Sequence, residues 1–120
     1  MKTELQDKIH DRFEFLQCYI ECGDGWFDLI WNLCESIEKE LELLNNSEEF
    51  MVIQVKEKFG QLRFYSTYKT DKILDLVQDA ESKSQLICEN CGNTGERRKT
   101  TWIFTRCDKC FKCILNTTSI

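Results

Sequence analysis

The chain has 120 residues and a net charge of −5; 42% of it is hydrophobic, including three Trp and eight Phe. That length fits one domain, or one domain with a small appendage, and buries roughly two-thirds of the unfolded chain's surface in a modest core. The composition excludes a disordered chain, and no apolar run approaches the ~20 residues that span a bilayer.

Lys2 to Ile20 reads as a helix, because Leu5, Ile9, Phe13 and Leu16 recur at spacings of three and four. Met1 to Leu16 is charged throughout and has no apolar stretch, so no export signal is expected. Gly23-Asp24-Gly25 breaks the chain, and Asp24 is the expected N-cap of a second helix from Trp26 to Leu44. Its apolar stripe is Phe27, Ile30, Cys34, Ile37, Leu41 and Leu44, and Asn45-Asn46-Ser47 ends it. Phe50 to Lys58 changes period. Met51, Ile53 and Val55 alternate with Val52, Gln54 and Lys56, as in a half-buried strand. Phe59-Gly60-Gln61 reads as a turn and Leu62 to Tyr65 as a second strand, together a β-hairpin. Thr70 or Asp71 starts a third helix, running to about Leu86, with Ile73, Leu76, Val77 and Ala80 facing inward. A lone hairpin is marginal in water, so it must pack on these helices. The expectation is an α+β body over 1–87, with helices on a β-hairpin, followed by a separate module over 88–120.

That last segment reads Cys88-x2-Cys91, 15 residues, then Cys107-x2-Cys110. This spacing suits a structural site of four thiolates around one zinc ion. Two cysteines separated by two residues can turn both sulfurs inward on a tight knuckle, and Gly92 supplies the backbone freedom such a knuckle needs. Asn93 to Arg98 reads as a polar loop and Thr101 to Thr105 as a strand, the outline of a zinc ribbon. Four thiolates leave no open coordination position, which predicts a structural metal and no catalysis. A redox reading fails, because neither C-x-x-C follows a strand inside a βαβ unit. A disulfide framework is disfavoured by the missing export signal and the clustering of five cysteines between Cys88 and Cys113.

Other features have plainer explanations. Cys18, Cys22 and Cys34 suit small buried apolar roles better than a second metal site. His10 is the only histidine and stands without a nearby nucleophile. Lys56, Lys58 and Arg63 form a small basic patch whose default reading is a solvated strand face. Residues 1–87 carry ten Lys/Arg against 18 Asp/Glu, and residues 88–120 carry six against three. An acidic body thus ends in a basic segment. There, Arg97, Arg98, Lys99 and Arg106 with Trp102 combine phosphate-binding charge with a stacking surface, a candidate nucleic-acid site.

Gly23-Asp24-Gly25-Trp26, the run Gln54 to Tyr65 (QVKEKFGQLRFY), Ile87-Cys88-Glu89-Asn90-Cys91-Gly92 and Arg106-Cys107-Asp108-Lys109-Cys110 together resemble a family of small bacteriophage and prophage zinc-ribbon proteins. The resemblance covers about Gly23 to Cys110. Members often end the second knuckle in Cys-Asp-x-His. Cys110 stands at that histidine's place here, making the expected site four Cys. The resemblance implies a phage-type accessory protein in the bacterial cytoplasm. Small phage proteins without enzymatic motifs often bind and inhibit host machinery, including defence complexes such as CRISPR effectors, so a protein partner is expected and nucleic acid is the alternative. No residues fill catalytic roles, so an enzyme is not expected.

Overall fold

In the computed structural model, which describes residues 1–44, 49–67 and 70–118, the chain is a mixed α+β molecule. It runs α1 (Thr3–Arg12), β1 (Ile20–Glu21), a 3-10 turn (Asp24–Trp26), α2 (Phe27–Leu44), β2 (Val52–Lys58) and β3 (Gln61–Ser66). Then follow α3 (Asp71–Ser84), β4 (Glu96–Lys99), β5 (Ile103–Arg106) and α4 (Asp108–Thr118). The expected stop at Asn45-Asn46-Ser47 lies outside the described residues.

The first helix is shorter than its apolar spacing suggests. It stops at Arg12, where Phe13 turns to extended backbone (φ −121°, ψ 104°). The Gln17 side-chain amide donates to the carbonyls of His10 (2.9 Å) and Phe13 (3.0 Å), satisfying acceptors that a longer helix would have used. Ile9, Phe13 and Leu16 are still buried, because the extended segment folds its apolar side chains onto the same core. That segment continues into β1, which pairs parallel to β2, with Ile20 opposite Val55 and Glu21 opposite Lys56. Asp24 does not cap the second helix. Its carboxylate instead accepts from the Lys2 amide at 2.8 Å, at the start of α1.

The hairpin forms as expected. Phe59 and Gly60 both adopt positive φ (53° and 79°), the two-residue turn whose twist matches a right-handed strand pair. The facing of β2 differs from the simple alternation. An irregularity in the register between Val52 and Gln54 places Val52 and Val55 inside, while Met51 and Ile53 are exposed. In β3, Leu62 and Phe64 face the core and are fully buried. Thr70 caps α3, its hydroxyl accepting from the Ile73 amide at 3.2 Å, and the helix ends at Ser84.

Trp26, Ile30, Ile37, Val55, Leu62, Phe64 and Ile73 belong to one core with Ile9, Phe13 and Leu16. Each such buried side chain stabilises the fold by about 1.5–3 kcal/mol. Both edges of the three-stranded sheet are closed by side chains. Gln6, buried on α1, accepts from the Ile20 amide (3.0 Å) and donates to its carbonyl (3.3 Å). Across the sheet, Ser84 and Glu81 of α3 accept from the Leu62 (2.9 Å) and Phe64 (3.0 Å) amides.

Residues 96–98, part of the expected polar loop, belong instead to β4. It pairs antiparallel with β5, Glu96 opposite Arg106 and Lys99 opposite Ile103. Thr101 and Trp102 are therefore in the connecting turn and not in the strand, and Trp102 is 78% exposed.

Candidate metal centre

Two short backbone turns bring the cysteines together. In the first, the Gly92 amide donates to the Cys88 carbonyl at 2.9 Å, and Gly92 takes a φ of +85° that a Cβ would strain. In the second, Cys107 immediately precedes α4 and Cys110 lies in its first turn. The Cys110 amide points at the Cys107 sulfur at 3.5 Å.

The four sulfurs of Cys88, Cys91, Cys107 and Cys110 all lie within 4.8 Å of one another, a group that can hold one metal ion. A tetrahedron of thiolates with metal–sulfur bonds of ~2.3 Å places its sulfurs about 3.8 Å apart. Cys91 Sγ and Cys107 Sγ are 3.6 Å apart. Cys88 is buried, Cys107 and Cys110 are half-buried, and Cys91 is exposed.

The electrostatics of the group also suit a cation. Burial pushes the Cys88 thiol up, but the amides of Cys107, Cys91 and Asn90 aimed at its sulfur overcome this and bring it down to about 6. At Cys91 the Asn93 amide favours the thiolate, yet burial and the sulfurs of Cys107 and Cys88 leave the net shift upward. Cys110 accepts from the Asn90 side-chain amide at 3.3 Å, which favours its thiolate. Burial and the three neighbouring sulfurs nonetheless push it up to about 12. The thiolate is thus favoured at Cys88 and opposed, by burial and by the neighbouring sulfurs, at Cys91 and Cys110. A divalent cation at the centre offsets that opposition, because a coordinating thiol is deprotonated outright.

The centre is fastened to the rest of the chain at two places, through contacts that no local sequence pattern signals. The first is the Gly23–Trp26 loop. The Gly25 amide donates to the Glu89 carbonyl (2.7 Å), the Gly23 amide to the Glu89 carboxylate (2.8 Å), and the Trp26 indole to the Ile87 carbonyl (2.9 Å). The loop and the knuckle are in backbone contact. A Cβ on Gly25 would lie 2.1 Å from the Cys88 carbonyl oxygen and 2.6 Å from the Gly92 nitrogen. The second place is the β2–β3 turn. The buried Thr105 hydroxyl donates to the Gly60 carbonyl and Arg97 Nε to the Phe59 carbonyl at 3.0 Å. Glu89, although buried, keeps its carboxylate paired with Arg106 at 3.5 Å. Burial raises its proton affinity against the pull of the Gly23 amide and Arg106.

The residues proposed for nucleic acid do not stand together as free charges. The Arg98 guanidinium is held between Glu96 (2.8 Å) and Asp108 (2.7 Å) and lies 4.6 Å over the Phe111 ring. Arg106 pairs with Glu89. Arg97, Lys99 and Trp102 are exposed, although Arg97 is tethered through Nε. Cys18 is half-buried, while Cys22 and Cys34 are buried. Burial pushes the Cys22 thiol up to about 12 and the Cys34 thiol up as well, so both are neutral small side chains at pH 7. His10 Nε2 is 2.8 Å from the Cys18 carbonyl, tying α1 to the segment that leads into β1. Comparison with family models, curated proteins and solved structures finds no match to this chain. Among the described residues no helix is long and apolar enough to cross a membrane.

Proposed function

We propose that this chain is a zinc-stabilised accessory protein of the phage type that works by occupying a macromolecular partner and not by catalysis. The observation that carries this is the convergence of four thiols on one point, with no His, Asp, Glu or further Cys joining them among the described residues. Zinc is the ion that four thiolates in tetrahedral array suit best, and a saturated site leaves no position for substrate or activated water. The metal's work is then structural, and function lies on surfaces. A protein complex of a bacterial host, inhibited by being occupied, is the partner class that the family resemblance supports. The acidic body of the chain, net −8 over residues 1–87, suits a basic surface on that complex.

Binding of nucleic acid by the ribbon is the weaker alternative, because Arg98 and Arg106 are already neutralised by Glu96, Asp108 and Glu89. The two are separated by affinity capture from bacterial lysate at physiological salt, with and without nuclease. A protein recovered at constant stoichiometry after nuclease treatment is the expected result. Capture of nucleic acid alone, lost on Arg97→Gln with Lys99→Gln, would favour the ribbon instead.

A further inference from the structure

We propose that the open face of the three-stranded sheet binds single-stranded nucleic acid. This goes beyond the partner proposed above and does not depend on it. The pairing register defines the face. Gln54 stands opposite Tyr65, Lys56 opposite Arg63 and Lys58 opposite Gln61, while Glu21 stands beside Lys56 on the other strand. The alternate positions Val55, Leu62 and Phe64 point into the core and are fully buried. None of the seven face residues is buried, and Tyr65 is 40% exposed.

Charge selects the occupant. Residues 1–87 are strongly acidic, yet this face gathers three cations against one acid. Among the described residues Lys56, Lys58 and Arg63 form no ion pair. The Glu21 carboxylate is instead approached by the Gln54 amide at 3.4 Å. Arg63 is half-buried, and its Nε has no hydrogen-bond partner among the described residues, so the guanidinium is not taken up by an acceptor of the chain there. Lys56 and Lys58 stand one pleat apart, about 6.8 Å along the strand. Tyr65, two residues along β3 from Arg63, supplies a stacking surface, and the amides of Gln54 and Gln61 suit base edges. Cations with an adjacent aromatic on a sheet are the platform on which splayed single strands lie. A flat face cannot enter the major groove of a duplex, which admits a helix or a two-stranded ribbon. Strand addition is also closed off, because Gln6, Glu81 and Ser84 already occupy the sheet edges.

The test is fluorescence anisotropy of the purified full chain with labelled 15-nucleotide single-stranded RNA and DNA and a matching duplex. Single strands are expected to bind with Kd on the order of 10⁻⁵ M at low salt. Three phosphate contacts give a log–log salt slope near −2, or about 100-fold weaker binding for tenfold more salt. Lys56→Gln with Lys58→Gln should bring the slope to roughly −0.7. Tyr65→Ala should weaken binding roughly tenfold. Melting curves of both variants show whether they fold, and either one alone suffices as the probe. Ribbon variants Lys99→Gln and Trp102→Ala should bind as the parent does. No binding of single strands at low salt would overturn the proposal and leave the face to a protein. Folded sheet variants that bind as the parent does, losses confined to the ribbon variants, or equal affinity for the duplex would overturn it too.

Discussion

Gly25 has no space for a side chain, and the atoms that fill the space are backbone. A Cβ there would meet the Cys88 carbonyl oxygen at 2.1 Å and the Gly92 nitrogen at 2.6 Å, and neither can swing away as a flexible side chain could. Gly25→Ala is therefore expected to destabilise the fold by about 3 kcal/mol or more and to lower metal affinity at the same time. Thermal melting and metal content of the variant check both. Melting unchanged with full metal would show that the loop and the knuckle are not in contact. A second residue-scale case concerns pH. Arg12 donates to Glu38 through Nη1 and Nη2, at 2.6 and 2.8 Å, and this holds the Glu38 carboxyl below its usual value of 4.5. A carboxyl lowered in the fold adds stability above its unfolded value and loses it as pH falls through the folded one. Glu38→Gln should lower the melting temperature slightly at pH 7, with the difference vanishing in strongly acidic solution. A difference independent of pH would remove the ion pair from the account. The effect is small because both partners are substantially exposed to solvent.

At the scale of elements, α2, the hairpin and α3 were legible because each has one dominant signal. These are the stripe Ile30, Cys34, Ile37 and Leu41, the glycine of the β2–β3 turn, and the Thr70 cap. Where two signals competed, periodicity misled. The spacing Leu5, Ile9, Phe13, Leu16 fits a helix to Ile20, but an extended chain folding back on the same core buries Phe13 and Leu16 equally well. Gln17, which caps the end of α1, carries no such meaning in sequence until its partners are known. The two-residue strand β1 is too short to leave a period at all. The facing of β2 was hidden by a register irregularity, which pattern reasoning cannot see because it shifts every later side chain by one face. In the ribbon, Glu96, Arg97 and Arg98 looked like a loop because they are all charged. They form a strand because Thr105 and Phe104 opposite them pack on the two faces of the pair, Thr105 onto the β2–β3 turn and Phe104 against Phe111 of α4.

For the whole molecule, the four cysteine positions were fully legible, since the C-x2-C spacing has a geometric cause that does not depend on the surrounding fold. What the spacing could not reveal is how the centre is tied in. Glu89 and Thr105 are buried polar residues whose partners, Gly23, Gly25 and Gly60, are 45 or more residues away along the chain. Metal binding at this centre should therefore stabilise more than residues 88–120 alone. Cys88→Ser or Cys107→Ser is expected to cost several kcal/mol, because ligand loss removes binding energy that is also folding energy. The loss should show in the burial of Trp26, whose indole is hydrogen-bonded to Ile87 beside the first cysteine. The most direct test is elemental analysis of the purified protein combined with tryptophan emission during titration with a chelator. One zinc per chain is predicted, with its removal shifting the emission to the red as Trp26 meets water. Absence of stoichiometric metal, or chelation that leaves emission and melting unchanged, would contradict the claim that one metal ion holds this fold together.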